Sequence, residues 1–111
     1  MEADMKPKDI LEKEVPKRFQ KEPDKVQKAN AVIDVVVTGK DGGTWTIDCT
    51  KKGGEVRKGP TEGAKLTVTI ADTDFIDIFT KKLSPQSAFF QGKLKVKGDI
   101  GLALKLGSLI S

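Results

Sequence analysis

Carboxylates and a single thiol are the side chains of this sequence that could carry catalytic or metal chemistry. Asp72, Asp74 and Asp77 are spaced closely enough to resemble a metal cluster. The apolar residues that follow them instead predict a helix. On that helix Asp72 caps the N-terminus, Asp74 stabilises the first turn and Asp77 faces water. The sequence has no histidine, and one cysteine cannot build a zinc site. We therefore expect a non-enzymatic protein with no catalytic residues, no metal and no cofactor.

The one cysteine, Cys49, lies in residues 44–50, which are predicted to form a strand. A small packed side chain is the preferred interpretation, and a reactive thiol is the alternative. A single cysteine cannot form an intramolecular disulfide, which is typical of a reducing compartment. The N-terminus lacks the apolar core of a secretory signal, and no apolar run approaches the roughly 20 residues that span a bilayer. We expect an intracellular protein that is neither secreted nor transmembrane.

The most apolar part of the sequence lies near its C-terminus. Ser84 followed by proline predicts the start of a helix, and Gly92 predicts its end. Residues 93–97 alternate lysine with leucine or valine, which predicts a strand with one face exposed to solvent. Asp99 offers a cap to residues 100–110, which are apolar at nearly every helical angle. Such a helix must be covered on more than one side, by the sheet and by more protein, a partner or a bound apolar ligand.

Periodicity predicts the remaining elements. A first amphipathic helix is predicted over residues 10–19, and Pro16 is expected to kink or split it near Val15. A short helix is predicted at residues 23–28, and another from Asp72 to before Leu83. Further strands are predicted at residues 31–38, 44–50, 55–58 and 65–70. This order predicts an α+β fold, with a five-stranded, largely antiparallel sheet covered on one face by about five helices.

Basic residues outnumber acidic residues by 20 to 16, and the two kinds are interspersed. Proteins that read nucleic acids concentrate basic charge and interleave it with stacking aromatics. The phenylalanines here lie in apolar patterns instead, so we exclude nucleic acid as a partner. Lys93, Lys95 and Lys97 are interpreted as a solvated strand face. The charge excess predicts solubility and a weak, transient attraction to anionic membrane surfaces.

Several segments closely resemble the sterol carrier protein-2 family. Residues 84–106 carry the strongest match, including the paired Phe89 and Phe90 before Gly-Lys-Leu-Lys. Residues 71–75 resemble the acidic helix start of that family, residues 43–48 its strand with a tryptophan, and residues 29–33 the entry to its first strand. The resemblance covers roughly residues 9–110. We assign residues 9–111 to one lipid-binding domain and residues 1–8 to a flexible N-terminal segment.

The resemblance implies a hydrophobic tunnel between sheet and helices that takes fatty acids, fatty acyl-CoA, sterols or phospholipids. For any single apolar residue, ordinary core packing is the alternative. Gln86 places an amide near the lipid or faces water, and Gly101 leaves space for a ligand or permits close helix packing. With Ala103 and Leu104, Gly101 predicts a wide, apolar tunnel. The predicted lipid-binding residues are Val35, Phe75, Phe79, Gln86, Phe89, Phe90, Ile100, Gly101, Leu102, Leu104 and Leu106.

These inferences predict a non-catalytic, monomeric lipid carrier that exchanges its cargo with membranes or enzymes when the last helix shifts. The alternative is a docking or substrate-presenting domain of a longer peroxisomal or membrane-associated protein. Members of the family are often peroxisomal through a C-terminal Ser-Lys-Leu-type signal, whereas this sequence ends in Leu109, Ile110 and Ser111. Cytoplasm and peroxisome are the two alternatives for its location.

Overall fold

The structure is a computed structural model that describes residues 6–51 and 53–110, with side chains described as far as Lys105. The helices are α1 (Pro7–Asp9), α2 (Val15–Lys21), α3 (Pro23–Ala29), α4 (Asp72–Phe79), α5 (Pro85–Phe90) and α6 (Ile100–Ile110). The strands are β1 (Val32–Thr38), β2 (Gly43–Asp48), β3 (Glu55–Lys58), β4 (Leu66–Ala71) and β5 (Leu94–Gly98). A π-helical turn, Ile10–Glu14, joins α1 to α2.

Pro16 determines the geometry of the first helical run. Its ring removes one backbone N–H and would collide with the carbonyl group four residues earlier in a regular α-helix. The chain widens into the π turn just before it, and the Val15 N–H donates to the Ile10 carbonyl, five residues back. In place of the kink or split predicted near Val15, the chain changes there from π-helical to α-helical geometry, and residues 7–21 remain continuously helical.

This run begins earlier than the sequence indicated. Pro7 is buried and opens α1, so Pro7 and Lys8 are helical although the predicted flexible segment includes them. The rest of that segment, residues 1–5, lies outside the described part of the chain.

β1 is the centre of the sheet, whose strand order is β3-β2-β1-β4-β5. It pairs antiparallel with β2 and parallel with β4, and the two outer pairs are antiparallel. The predicted α+β fold with a largely antiparallel sheet is thus confirmed. The one parallel pair brings the ends of β1 and β4 to the same edge of the sheet.

The loop after β1 meets the start of α4 at this edge. The Asp72 carboxylate accepts hydrogen bonds from the Thr73 N–H at 2.8 Å and from the Asp41 N–H at 3.1 Å. Gly39 packs against it with φ +104°, and a Cβ there would lie 2.6 Å from an Asp72 oxygen. The prediction that Asp72 caps α4 is wrong, because β4 extends to Ala71 and Ala71 is the cap residue. Asp72 instead fastens the loop to the helix.

The two other predicted caps are confirmed. The Ser84 hydroxyl accepts a hydrogen bond from the Ser87 N–H at 3.0 Å at the start of α5. The Asp99 carboxylate accepts one from the Leu102 N–H at 3.2 Å at the start of α6. These side chains satisfy N–H groups that a helix leaves without internal partners, which fixes where both helices begin.

Alternation along the strands divides the sheet into a helix-covered face and an open face. The paired residues Val35 and Val68, and likewise Ile70 and Leu94, place apolar side chains on the helix-covered face. Trp45 lies on the same face, where its indole N–H donates to the Glu12 carboxylate at 2.9 Å and fastens the π turn to β2. The lysines of β5 are exposed on the open face, as predicted.

A buried polar cluster closes the middle of the open face. Asp34 is 8% exposed, and its carboxylate accepts hydrogen bonds from the Thr46 hydroxyl at 3.0 Å and the Thr61 N–H at 3.2 Å. The Thr46 hydroxyl also lies 2.7 Å from the Gly59 carbonyl oxygen. These contacts hold the loop after β3 against β1 and β2.

Replacing Asp34 with alanine is expected to lower the free energy of unfolding by about 1–3 kcal/mol, because the Thr61 N–H and the Thr46 hydroxyl lose a buried acceptor. Urea unfolding measures the change. Glu62→Ala, at an exposed carboxylate in the same loop, is the control and should shift the free energy by less than about 0.5 kcal/mol. Equal stability of the Asp34→Ala protein and the unmodified protein would contradict the role assigned to Asp34.

Candidate functional site

An apolar cavity of about 40 Å³ lies between the helix-covered face of the sheet and the helices. The strands β1, β2, β4 and β5 supply its floor, and the π turn, α4, α5 and α6 supply its walls and roof. Every side chain that lines it is apolar. The lining residues are Leu11, Val35, Ile47, Val68, Ile70, Phe75, Ile78, Pro85, Leu94 and Ala103.

The register of the strands and the spacing of the helix residues bring these side chains together. Val35 stands at the centre of the floor, because its partners on either side are Trp45 and Val68. Phe75 and Ile78 are three residues apart on α4, so they lie on the same side of that helix. Both are buried. The site therefore depends on the central strand and on α4.

The chemistry available in this cavity is exclusion of water and contact with hydrocarbon. None of its lining side chains can transfer a proton, attack a substrate or hold a metal. Apolar cavities of this kind stay dry, because a water molecule there finds no hydrogen-bonding partner. The cavity can therefore hold an apolar group, and it offers no polar side chain that would bind the head group of a lipid.

The cavity is too small for a complete lipid. Pockets that enclose small molecules typically measure roughly 300–1,000 Å³. A long alkyl chain therefore has to displace part of the wall. α5 is the shortest helix against the cavity, and Ala88 is the buried residue in it.

Two of the predicted lipid-binding residues, Val35 and Phe75, line the cavity. Phe79 is buried in the core but does not line the cavity, and the Arg18 guanidinium lies 4.4 Å from its ring centre. Phe89 is half-buried and packs edge-on against Phe90, with ring centres 5.7 Å apart.

The structure places other predicted residues at the surface. Phe90 is 80% exposed and Ile100 is 44% exposed. Gln86 is also exposed, which agrees with the alternative that its amide faces water. In α5 Ala88 occupies the inner side, and Gln86 and Phe90, each two residues away from it, therefore lie on the opposite side of the helix.

In α6, Ala103 lines the cavity, whereas Leu102 and Leu104 are half-buried outside it. Gly101 is exposed, and a Cβ there would meet only an Asp99 oxygen, at 3.3 Å. Gly101 therefore neither widens this cavity nor is needed for close helix packing. The side chain of Leu106 lies outside the described residues.

Sequence reasoning did not assign a lipid-binding role to most of the lining. The strand residues Val68, Ile70 and Leu94 carried a usable signal, because their alternation predicted one apolar face. The sequence also predicted Ala103 as part of a wide tunnel, and of Gly101, Ala103 and Leu104 it is the residue that lines the cavity. Leu11 and Pro85 carried no such signal, since their positions depend on how distant helices pack. The other lining residues outside the predicted set are Ile47 and Ile78.

No helix in the described part of the chain is long and apolar enough to cross a membrane. Among the same residues, no group of three or more cysteine, aspartate or glutamate side chains is placed to hold a metal ion. Asp72, Asp74 and Asp77 are thus not gathered into a cluster.

The sequence profile of the SCP-2 sterol transfer family matches residues 12–111. Hydroxysteroid dehydrogenase-like protein 2 of Mus musculus is 44% identical over 87 residues, which make up 78% of this chain and 18% of that protein. Sterol carrier protein 2 of Homo sapiens is 39% identical over 104 residues, 90% of this chain and 19% of that protein. The chain therefore spans less than a fifth of the length of either relative.

Among solved structures, the solution NMR structure of palmitated SCP2L2 from Aedes aegypti superimposes with a TM-score of 0.78 at 29% identity. The superposition covers 96% of this chain and 95% of that one. The whole architecture, rather than a single motif, is shared.

Cys49 is the one thiol of the chain, and it is inaccessible. Burial, together with the negative charge of Asp48, raises the pKa of the Cys49 thiol to about 11. Nucleophilic chemistry requires the thiolate, which both factors disfavour. The structure therefore supports the packed role of Cys49 over a reactive one.

Alkylation of Cys49 by iodoacetamide at pH 8 is expected to be far slower in the folded protein than in urea. With a pKa of about 11, roughly one thiol in a thousand is ionised at that pH, and the side chain is also shielded from the reagent. The rate in the folded state should rise with pH up to about pH 11. Intact-mass measurements follow the reaction, and equal rates in the folded and unfolded protein would contradict this prediction.

Proposed function

The chain belongs to the SCP-2 sterol transfer family, and from this premise we propose that it binds the alkyl chain of a long-chain lipid in the apolar cavity. The observation that carries the proposal is a wall made only of apolar side chains, enclosed between a sheet and helices from both ends of the chain. The palmitated relative with the same architecture supports a fatty acid as the simplest ligand.

The energy for binding comes from the hydrocarbon. Each methylene removed from water contributes about 0.8 kcal/mol, so ten methylenes contribute about 8 kcal/mol before the cost of association is subtracted. No charged side chain lines the cavity to anchor a head group. The site should therefore discriminate lipids by the length and shape of their tails, and accept fatty acids, fatty acyl-CoA and sterols with modest differences in affinity.

Ligand entry requires the cavity to enlarge, and α5 is the element we assign to this movement. Gly92 follows α5 with φ +78°, and Lys81 precedes it with φ +68°. Two positive-φ residues thus flank residues 82–91, the segment that contains α5. Displacing this segment removes Pro85 from the cavity wall and leaves the sheet floor intact.

The preferred role is a carrier that shields a lipid tail and exchanges it with membranes or enzymes. A second role, presentation of lipid to an attached enzyme, is favoured by one observation: the relatives are roughly four to five times as long as this chain, and one of them is named as dehydrogenase-like. Transfer of a fluorescent lipid between vesicles by the isolated chain would support the carrier. Saturable binding without transfer would support the presenting domain.

Val35 and Val36 offer a matched pair of variants, because neighbouring strand residues point to opposite faces of the sheet. In Val35→Phe the ring occupies space for about two methylenes of the ligand, so affinity for a fluorescent long-chain fatty acid should fall about tenfold. Val36→Phe places the same ring on the open face and should leave affinity unchanged.

Delipidated protein is titrated with the fluorescent fatty acid, followed by competition with acyl-CoA, a sterol and a phospholipid. One-to-one, saturable binding by the unmodified protein supports the proposal. Absence of binding, or equal affinity of the two variants at equal thermal stability, would mean that the cavity is only a packing gap.

A further inference from the structure

We infer that the free edge of β5 is a docking site for an extended, acidic segment of a partner protein, which adds to the sheet as a further strand. β5 lies at one end of the strand order, and within the described part of the chain β4 is its strand partner. Alternate residues of an edge strand direct their backbone N–H and C=O groups away from the sheet, where an incoming strand can pair with them. The inference goes beyond lipid binding and does not depend on it.

The open-face side of β5 carries positive charge. Lys97 pairs with Thr67, which in turn pairs with Asp34 of the buried polar cluster on the open face. Lys97 therefore lies on the open face, and Lys95, two residues away on the strand, lies there as well. Both lysines are exposed, and neither forms an ion pair with a residue that the structure describes.

Two carboxylates near this edge are already engaged. Asp99 follows β5, and its carboxylate accepts the Leu102 N–H at 3.2 Å. Asp34 is 8% exposed and accepts its hydrogen bonds within the buried polar cluster. The lysines of β5 are thus available to the carboxylates of a partner.

The other side of β5 is apolar. Val96 lies on the helix-covered face, in a row with Val68 and Val35. Val68 and Val35 are buried, whereas Val96, at the edge of the sheet, is half-buried. An apolar side chain on an added strand would lie about 5 Å from Val96 and would remove more of it from water.

This alternation defines the chemistry of the partner. A strand beside β5 directs successive side chains to opposite faces, so every second residue lies near Lys95 or Lys97 and the residue between them lies near Val96. Opposite charges on neighbouring strands stabilise the pair, so carboxylates suit the first positions and apolar side chains the second. The edge therefore fits a segment in which aspartate or glutamate alternates with apolar residues. Main-chain hydrogen bonds supply affinity, and the side chains supply specificity.

The same lysines disfavour a second copy of this chain as the occupant. An antiparallel β5 from another copy, added with both open faces on one side, would place lysine opposite lysine. Like charges in these positions destabilise a strand pair, and lysines on edge strands commonly protect against self-association. Lys95 and Lys97 thus reject the chain's own edge and accept an acidic strand.

β3, at the other edge of the sheet, lacks this property. Glu55 and Arg57 lie two residues apart on β3, with 3.0 Å between their charged groups, and the Lys51 ammonium lies 3.1 Å from the same carboxylate. An acidic strand at this edge would have to compete with Glu55 for the basic groups. The two edges therefore differ, and the geometry favours β5 for an acidic partner.

The test is an NMR titration of the whole, isotope-labelled chain with a capped peptide of about eight residues in which glutamate and valine alternate. Saturable one-to-one binding is expected, with amide shift changes concentrated in β5 and β4. Two control peptides keep the length: one groups the same residues in two blocks, and the other replaces glutamate with lysine. Both should bind at least about tenfold more weakly.

Strand addition is separated from simple charge attraction by N-methylation of the peptide. Methylating every second amide removes the N–H groups from one side of the extended peptide. Methylation on the side that pairs with β5 should weaken binding by about tenfold or more, because several main-chain hydrogen bonds are lost. Methylation of the other set, which faces water, should leave the affinity unchanged.

Lys95→Gln with Lys97→Gln should weaken peptide binding by about tenfold, because each opposite-charge pair across two strands contributes up to about fivefold. The matched control, Lys21→Gln with Lys28→Gln, removes two exposed lysines from α2 and α3 and should change the affinity by less than about twofold. Lys95→Glu with Lys97→Glu should reverse the preference, so that the lysine–valine peptide binds better. Equal unfolding temperatures of the variants would show that these effects arise at the edge.

Absence of saturable binding, equal losses for the two lysine pairs, or equal binding of the two methylated peptides would overturn the inference. A rise in peptide affinity of more than about tenfold on removal of residues 1–5 would also overturn it. In that segment Glu2 and Asp4 alternate with apolar residues, so the edge would then be occupied by the chain's own N-terminus rather than by a partner.

Discussion

Burial of a single face of the sheet is the constraint on which the rest of this structure depends. Ile33, Val35 and Val37 of the central strand are each at most 3% exposed. Their neighbours on β2 and β4 are equally apolar, so the face must be covered. All the helices that contact the cavity pack on this face, and the opposite face is left to water and to one short loop.

The functional cavity follows from the same constraint. Its roof is assembled from a π turn and three helices that belong to distant parts of the sequence. The gap between this roof and the sheet is lined by what the helices and strands present, which here is hydrocarbon. The gap is small, so apolar packing is retained without a ligand. The short α5 is the part of this cover to which we assign the proposed opening.

One-sided burial also separates two kinds of chemistry. The helix-covered face holds apolar side chains and the inert Cys49, whereas the open face concentrates ionisable groups. At the β3 side those groups neutralise one another, and at the β5 side lysines predominate.

The sequence by itself determined the local elements, because periodicity and capping act over a few residues. Alternation predicted β4 and β5 and their apolar side, and Ser84 and Asp99 predicted two helix starts. Only the tertiary structure decided which apolar residues meet. Phe90 and Leu11 are alike in hydropathy, yet one lies at the surface and the other in the cavity wall. Periodicity orients a side chain relative to its own helix or strand. Which neighbour it faces depends on pairings between distant segments, such as β1 with β4, that carry no local signal.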